Sequence, residues 1–413
     1  RKPEDTPYIR FLLPADETSG QERMKPIIVV PESHTERYNL DLFHSPGQNP
    51  ELDNRLLTEL TYTVLLREIS ETASLEEIMG KHSQLPGLIH RMISGGARMQ
   101  NVSWLITAFS DAILKKLLDF AIGELGPPPV RFAFIVLGSE GRKEQTLKTD
   151  QDNAIIFEDI HEGSEISEEE VTAYFLSLGE KVCTWLDQAG YDFCKGEIMA
   201  KTPKWCQPLA TWKKYFYGWI HAAEPDDLLH SSIFFDFRFA YGDDAVADSL
   251  SKYLFTSLVG WTGFFRHFAE NAVYFKPPLG LFGNFVVESK GEHRNCLNIK
   301  KAMTMMTDFT RLYALKNMIR ETNTQERLYQ LYRKKVLSRE EYNEIEQAYS
   351  FMMQLRFVRQ ITAMIEEGAE PDNHINPKKL SRIEQKMLKE VLKKLGGLQA
   401  KLRFEFIGVS DSS

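Results

Sequence analysis

The sequence predicts an α+β protein in which a small α/β core is embedded between an N-terminal helical segment and a helical C-terminal domain. Apolar residues recur at spacings of three and four before residue 126 and again from about residue 205, as in amphipathic helices. Between these stretches, short apolar runs alternate with helical patterns, which is typical of a small α/β sheet. The run GPPP at 126–129 ends the first helical stretch, because proline cannot continue a helix.

The composition limits the classes of function. The 413 residues are 43% hydrophobic and 26% charged, which suffices for two or three domains with buried cores. The formal net charge is −8 and no block of lysine and arginine stands out, which argues against nucleic acid as a partner. The four cysteines lack CxxC spacing, which favours a reducing cytoplasm and argues against a zinc site. No apolar run reaches the length of a membrane span, so we expect no membrane association.

Four segments follow one another along the chain. Residues 1–50 are rich in proline, glutamate, serine and threonine, and we interpret them as an N-terminal arm or the remnant of an upstream region, since the chain begins with Arg1. Residues 51–125 form the N-terminal helical segment, with LLTELTYTVLLREI and SWLITAFSDAILKKLLDFAIGEL. Residues 126–210 form the core, and residues 211–413 form the helical C-terminal domain.

The core contains three candidate strands, which are VRFAFIVLG, DNAIIFE and YDFCKGEIMA. A helix is predicted between the second and third strands, in SEEEVTAYFLSLGEKVCTWLDQAG. It begins at the capping box formed by Ser167 and Glu170 and ends at Gly190. Further capping boxes predict three helix starts in the C-terminal domain. They are formed by Thr322 and Gln325, by Ser338 and Glu341, and by Ser381 and Glu384.

The stretch GSEGRKEQTLKTDQDN, residues 138–153, contains the chemistry of the core. Asp150 and Asp152 stand at the start of the second strand, where side chains at i and i+2 point the same way. Their Cα atoms are predicted to lie roughly 6.5–7 Å apart. Two carboxylates at this spacing can share a pair of Mg²⁺ ions. We therefore predict that both aspartates are catalytic metal ligands.

Residues directly after the first strand are suited to bind phosphate. Gly138 lets the backbone turn sharply and lets a phosphate come close, and Ser139 offers a hydroxyl and a backbone N–H. Arg142 and Lys143 are then placed to neutralise a triphosphate or a departing pyrophosphate. Together with two metal-binding aspartates, this set predicts nucleotidyl transfer from a nucleoside triphosphate.

A third catalytic carboxylate is expected on the third candidate strand. Asp192 and Glu197 both fall there; we favour a solvated surface acid for either residue, and Glu197 is the catalytic candidate if one of them completes the site. Lys300 and Arg311 are candidates for an acceptor site. The histidines His90, His293 and His374 are isolated in sequence, so we predict no metal ligand among them.

Two aromatic stretches have a structural and a functional interpretation. FFDFRFAYGD places Asp236, Arg238 and Asp243 among aromatic residues; we favour a buried Asp–Arg pair that holds the helical domain on the core over a contact with nucleotide or acceptor. Tryptophans recur every seven residues at Trp205, Trp212 and Trp219. This pattern favours an aromatic face packed into a core over a base-stacking platform.

The stretch GSEGRKEQTLKTDQDNAIIF resembles the nucleotidyltransferase superfamily that includes DNA polymerase β. It is more closely similar to a nucleotidyltransferase family often fused to CBS or cyclic-nucleotide-binding domains, which is itself similar to the PII-protein uridylyltransferases. The resemblance covers roughly residues 65–405 and extends to the linker and the helical region. It includes GEIMAKTPKWCQPLATW, IFFDFRFAYGD, PPLGLFG, NTQERL, QLRFVRQ and DNHINPKKLSRIEQKMLK.

The resemblance implies a polymerase-β-like core that uses Mg²⁺ and a nucleoside triphosphate. It implies that Gly138 and Ser139 hold phosphates and that Asp150 and Asp152 hold metal. It also implies a role in signal transduction with a protein side chain as acceptor, as in PII uridylylation. One departure is Asn298, where an acidic residue is expected.

Other functions stay open at this point. The core could bind nucleotide without turnover and serve as a sensor or interaction module, or it could modify a small molecule. Net charge disfavours a nucleic-acid polymerase. The donor base and the oligomeric state, for which a homodimer is one option, are not determined by the sequence.

Overall fold

The computed structural model describes residues 62–161, 163–221, 232–280 and 282–408. These described residues belong to one compact unit that is mostly helical, as the sequence predicts. The predicted arm at 1–50 lies outside the described residues. Within the described part of the chain, no helix is long and apolar enough to cross a membrane.

The helices are distributed on both sides of the core in the sequence. The α-helices are 62–71 (α1), Leu75–Met79 (α2), Leu85–Ser94 (α3), Met99–Leu125 (α4), Gly138–Gly141 (α5), Glu168–Gln188 (α6), Leu209–His221 (α7), Asp244–Leu258 (α8), Thr262–Ala272 (α9), Ile299–Lys316 (α10), Thr324–Arg333 (α11), Arg339–Ile361 (α12) and Arg382–Leu402 (α13). Short 3₁₀ turns lie at His82–Gln84, Pro203–Trp205, Ser232–Asp236 and Pro377–Lys379, and π-helical turns at Thr362–Glu366 and Arg403–Ile407.

The strands form one mixed sheet and one small ribbon. The strands are Phe132–Val136 (β1), Asn153–Phe157 (β2), Cys206–Pro208 (β3), Arg238–Gly242 (β4), Leu297–Asn298 (β5) and His374–Ile375 (β6). The sheet order is β3-β2-β1-β4, with β1 antiparallel to β2 and β4, and β2 parallel to β3. All residues of β1 and β2 are buried, which explains why both read as continuous apolar runs.

The prediction of the third strand is wrong. Residues 191–200 contribute only an isolated bridge between Asp150 and Asp192, and the third strand of the sheet is β3. The fourth strand, β4, falls in the stretch that the sequence assigned to helices. Strand β3 has three residues, which is too short for an alternation of apolar and polar residues to be recognised. Strand β4 is half-buried at the edge of the sheet, so its sequence shows no clear strand pattern either.

Helix starts follow the predicted capping boxes with one exception. The boxes at Ser167, Ser338 and Ser381 all form. The box at Thr322 is wrong, because α11 is capped by Asn323, whose side chain accepts from the amide of Glu326 at 3.0 Å. The Thr322 hydroxyl instead donates to the carbonyl of Gly141 at 2.7 Å, which attaches the C-terminal domain to α5.

A buried ion cluster joins the core to the C-terminal helices. Asp236 has no exposed surface and accepts hydrogen bonds from Arg142 at 2.8 Å, Arg327 at 2.7 Å and Arg311 at 3.0 Å. Burial alone would raise the pKa of Asp236, but Arg311, Arg327 and Arg142 together hold it well below its ordinary value. Asp236 is therefore buried and paired, as the structural interpretation of this stretch expects, but its partners are three arginines distant in sequence and not Arg238.

The neighbouring charged residues have other partners. Arg238 pairs with Asp111, and not with Asp236, through two hydrogen bonds of 2.8 and 2.9 Å. Asp243 caps α8, where its side chain accepts from the amide of Ala245 at 3.0 Å. FFDFRFAYGD therefore supplies both a helix cap and the centre of an ion cluster.

The spaced tryptophans pack in the interior, as predicted. Trp212 is fully buried, and Trp205 is 7% exposed. The rings of Trp205 and Trp219 lie 4.4 and 4.9 Å from the ring of Phe234. Trp212 and Trp219 belong to α7, whereas Trp205 precedes the helix in a 3₁₀ turn.

Candidate active site

Asp150 and Asp152 lie in an extended stretch that leads directly into β2. The amide of Leu137 donates to the carbonyl of Asp152 at 2.8 Å, so the pairing of β1 with β2 continues past the strand ends. The amide of Gln151 donates to the carbonyl of Asp192 at 2.9 Å on the other side. These bonds hold the backbone extended, and alternate side chains therefore share one face of the sheet.

Three side chains converge at this position. One ligand atom each from Asp150, Asp152 and Cys194 lies within 4.8 Å of the other two. The two aspartates are half-buried and Cys194 is buried. The structure thus brings together the two aspartates predicted as metal ligands and adds a thiol that the sequence did not mark.

Burial and a neighbouring carboxylate disfavour the ionised form of Asp152. Burial, and then the charge of Asp150, raise the pKa of Asp152 to about 7. A hydrogen bond from Cys194 and the charges of Lys300 and Arg142 oppose this rise without cancelling it. A divalent cation would offset the negative charge that remains.

The two aspartates fit Mg²⁺. Both offer carboxylate oxygens, which Mg²⁺ prefers, and their ligand atoms are close enough to be shared. In the part of the chain that the structure describes, this group contains a thiol and no third carboxylate. A thiol is a poor ligand for Mg²⁺, so the oxygen ligands from this group would be the two aspartates.

Gly138 lies directly against this pair. It follows β1 at the start of the helical turn α5, with a positive φ of 54°. A Cβ atom on Gly138 would lie 3.1 Å from a carboxylate oxygen of Asp152 and 3.0 Å from the side chain of Ile233. Ser139 is the next residue and is half-buried. The backbone therefore approaches the aspartates most closely where the sequence predicts phosphate contacts.

Gly138→Ala is expected to destabilise the fold by about 1–2 kcal/mol, because alanine disfavours positive φ and its methyl group crowds Asp152. We expect nucleotide affinity to fall as well. Gly218→Ala is the matched control, since a Cβ there meets nothing within 4 Å in α7, and alanine favours a helix. Urea unfolding of both variants checks this prediction, and equal stabilities would contradict it.

Arg142 is already engaged in ion pairs. Its guanidinium pairs with Glu144 and Asp236, both at 2.8 Å, and its side chain is 15% exposed. It still contributes positive potential at Asp152. The charge of Arg142 therefore acts on Asp152, while its hydrogen bonds are made to Glu144 and Asp236.

Lys143 points to a different neighbourhood from the one predicted. Its ammonium lies 4.5 Å from the centre of the Trp104 ring. Its electrostatic neighbours are Arg238, Asp111 and Glu326, and neither Asp150 nor Asp152 is among them. The left-handed backbone of Lys143, with φ of 57°, ends the turn after α5 and directs the side chain toward α4.

Glu197 is placed at the surface rather than on a strand. Its side chain is exposed, and its φ of 55° belongs to a tight turn. It is not a member of the group formed by Asp150, Asp152 and Cys194. The expectation for Glu197 rested on a strand over 191–200, and that strand is absent from the structure.

The C-terminal domain contributes cations to the same site. Lys300, in the first turn of α10, interacts electrostatically with both Asp150 and Asp152. Desolvation by the surrounding chain and the charge of Arg356 lower the pKa of Lys300, while the two aspartates raise it. Burial lowers the pKa of Arg356 to about 10, and Asp150 is among the groups that oppose this shift. Nothing in the sequence around Lys300 indicates that it interacts with residues 150 positions earlier in the chain.

Two of the histidines predicted to be isolated meet in space. His293, His374 and Asp372 offer ligand atoms within 4.8 Å of one another. The two imidazole rings are stacked, with centroids 3.5 Å apart and planes at 7°. Because the two rings are nearly parallel, their ring nitrogens do not point toward one common position. Pairing of β5 with β6 brings these distant segments together.

Comparison with known families matches two parts of the chain, one that contains the aspartates and one that contains the cations of the C-terminal helices. Residues 83–226 match the family described as "Putative nucleotidyltransferase DUF294", and these residues include the aspartates, α5 and Cys194. Residues 262–406 match the "Putative nucleotidyltransferase substrate binding domain", and these include Lys300 and Arg356.

A comparison with curated proteins finds no match. The two family matches cover β1, β2 and β3 and most of the helices, whereas β4 and α8 lie between them, and both descriptions concern nucleotidyl transfer. They support a nucleotidyltransferase-like function with a nucleoside triphosphate as substrate. The chain therefore belongs to the nucleotidyltransferase family that these two matches define.

Proposed function

We propose that this chain is a Mg²⁺-dependent nucleotidyltransferase that moves a nucleoside monophosphate from a triphosphate to a protein side chain. The observation that supports this most is the convergence of Asp150 and Asp152 beside Gly138, with Lys300 facing them from the C-terminal domain. Two carboxylates, a close backbone approach and opposing cations are what a metal-bound triphosphate requires.

Each residue has a distinct role in this proposal. Asp150 and Asp152 hold Mg²⁺, and two ions can be shared between them. Gly138 and Ser139 lie against the donor phosphates. Bound Mg²⁺ supplies activation of the acceptor hydroxyl and stabilises the departing pyrophosphate. Glu197 has no part in the proposal, because its carboxylate is exposed and outside the group.

The positive charge for the phosphates comes mainly from the C-terminal domain. Lys300 replaces Lys143 in this role, because Lys300 interacts with both aspartates and Lys143 lies over Trp104. Arg142 and Arg356 add positive potential. A triphosphate bound here would be held between the core and the C-terminal helices.

The protein acceptor and the role in signal transduction rest on similarity to the PII-protein uridylyltransferases. We also place the protein in the cytoplasm, since all four cysteines are free thiols, three of them buried. The net charge of −8 supports a protein acceptor over nucleic acid.

Lys300→Met is expected to raise the dissociation constant of the nucleoside triphosphate about tenfold, since a charged hydrogen bond contributes about 1.5–3 kcal/mol. Lys301→Met is the matched control, because Lys301 is adjacent and exposed like Lys300 but is not among the charges that act on Asp152. Calorimetric titration with a non-hydrolysable triphosphate and Mg²⁺ measures both. Equal affinities for the two variants would remove Lys300 from the site.

The experiment that tests the function measures pyrophosphate release and label transfer. Each α-labelled triphosphate is supplied with Mg²⁺ and cell lysate as a source of acceptor. Label on a discrete protein supports the proposal and identifies the base. Release of pyrophosphate with label on a small molecule would show a metabolite acceptor instead.

A second candidate function is nucleotide sensing without turnover. The specific observation that favours it is the thiol of Cys194 in the group where a third carboxylate was expected. This alternative predicts Mg²⁺-dependent nucleotide binding with no pyrophosphate release for any of the four bases. That combined result would exclude the transferase.

A further inference from the structure

Cys194 lies beside the aspartate pair, although its spacing in the sequence resembles no metal motif. Its Sγ is within 4.8 Å of a carboxylate oxygen of both Asp150 and Asp152. The side chain is 7% exposed. The bridge between Asp150 and Asp192 brings this segment alongside the aspartates, so the contact depends on the fold and not on local sequence.

The chain from Cys194 to Ile198 forms a tight turn around this sulfur. The amide of Glu197 donates to the carbonyl of Cys194 at 3.0 Å, and Glu197 has a left-handed φ of 55°. The amides of Gly196 and Ile198 favour negative charge on Sγ, but burial and the charge of Asp152 outweigh them and raise the pKa of Cys194 to about 11. In the metal-free site the sulfur is therefore a protonated thiol, and an ion that takes sulfur as a ligand has to displace that proton.

The other side of the sulfur faces the carboxylates. The thiol donates a hydrogen bond to Asp152, which places the sulfur and that carboxylate against the same small volume. The sulfur and the two carboxylates together offer three ligand atoms, each of which would bind a cation as an anion.

A thiolate changes which ions such a site prefers. Sulfur ligands select ions such as Zn²⁺ over Mg²⁺, which takes oxygen ligands. Zn²⁺ sites with three protein ligands leave a fourth position for water or substrate. Asp150, Asp152 and Cys194 satisfy that number and that mixture of oxygen and sulfur.

We propose that Cys194 is a third ligand at the site of Asp150 and Asp152, and that this site binds a thiophilic divalent ion of the Zn²⁺ class in competition with Mg²⁺. On binding, the thiol releases its proton to solvent and a sulfur lone pair forms the bond to the ion. The inference rests on the proposed function only in sharing the two aspartates. It implies that Zn²⁺ inhibits Mg²⁺-dependent transfer.

The test is a titration of the full chain with Co²⁺, whose bond to a thiolate gives a charge-transfer band in the near ultraviolet. All proteins include Cys296→Ser, because Cys296 is the half-exposed thiol and Cys183 and Cys206 are fully buried. The band is expected to saturate at one Co²⁺ per chain, and added Zn²⁺ is expected to remove it. Cys194→Ser in the same background is expected to lose the band.

Two further variants locate the ion. Asp152→Asn is expected to weaken Co²⁺ binding at least about tenfold, because a charged ligand is lost. His374→Ala is the control for the separate group of His293, Asp372 and His374, and it is expected to leave the band unchanged. Thermal unfolding of each variant verifies that it is folded.

Absence of the band in the protein that retains Cys194 overturns the inference, because it shows oxygen or nitrogen ligands alone. Persistence of the band in folded Cys194→Ser overturns it as well. The proposed function is judged separately, by pyrophosphate release with Mg²⁺. Turnover in a protein that shows no band supports the proposed function and contradicts the inference. A band in a protein that shows no turnover contradicts the proposed function and supports the inference.

Discussion

Asp152→Asn is expected to reduce nucleotidyl transfer on the order of a thousandfold or more, and at the same time to stabilise the metal-free protein. The loss of activity follows from removing one of two charged metal ligands, since a catalytic metal supplies several kcal/mol of transition-state stabilisation. The gain in stability follows from the pKa of Asp152, which burial and Asp150 raise to about 7. Asparagine keeps the shape without the buried charge.

The pH dependence of this stability gain has a definite sign. The carboxyl of Asp152 ionises near pH 4 in the unfolded chain and near pH 7 in the folded one. Its ionisation therefore penalises folding increasingly between pH 4 and 7, and the penalty is complete above pH 7. We expect Asp152→Asn to raise the free energy of unfolding by about 1–3 kcal/mol at pH 8 in a chelator, and by nothing below pH 4.

Asp192→Asn is the matched control for this variant. Asp192 lies in the neighbouring segment, but its side chain is 67% exposed and pairs with Lys148 at 3.4 Å. We expect little change in activity or stability, because exposed ion pairs contribute little. Urea unfolding across pH, with and without Mg²⁺, measures the stability of both variants. An Asp152→Asn protein that keeps its activity would exclude Asp152 from the metal site.

Asp236→Asn is expected to destabilise the fold by about 3–5 kcal/mol, which is a large part of the stability of a domain. The carboxylate has no exposed surface and neutralises Arg142, Arg311 and Arg327. Asparagine retains the shape and leaves these buried guanidinium groups without their shared counter-ion. We also expect nucleotidyl transfer to fall, because Arg142 loses its partner Asp236 and directly follows α5.

The effect of Asp236 is also expected to depend on pH in the opposite direction to that of Asp152. The three arginines lower the pKa of Asp236 in the folded state. Its contribution is therefore complete above pH 4 and is lost as the pH falls toward that lowered value. Asp248→Asn is the control, since Asp248 is 44% exposed and pairs with Lys252 and Arg320 at the surface. Urea unfolding at pH 7 that separates the two variants by less than about 1 kcal/mol would contradict this account.

Local features of the sequence were predictable and are confirmed. β1 and β2 are buried runs, and the caps at Ser167, Ser338 and Ser381 need residues only three positions apart. The strand over 191–200 was wrong because this segment makes a single bridge at Asp192 and then a left-handed turn at Glu197, and half of its residues are exposed. β4 was missed because its residues are half-buried at the sheet edge.

By itself the sequence determined the extended segment before β2 that presents Asp150 and Asp152 on one face, because spacing within one extended segment is a local property. Only the tertiary structure decided what surrounds them. Cys194 reaches the aspartates through a backbone bridge, and Lys300 reaches them from the first turn of α10. The tertiary structure likewise places the ammonium of Lys143 over the ring of Trp104 and the side chain of Glu197 at the surface. Charge and metal-ligand chemistry depend on distances between remote segments, and packing of the C-terminal helices against the core sets those distances.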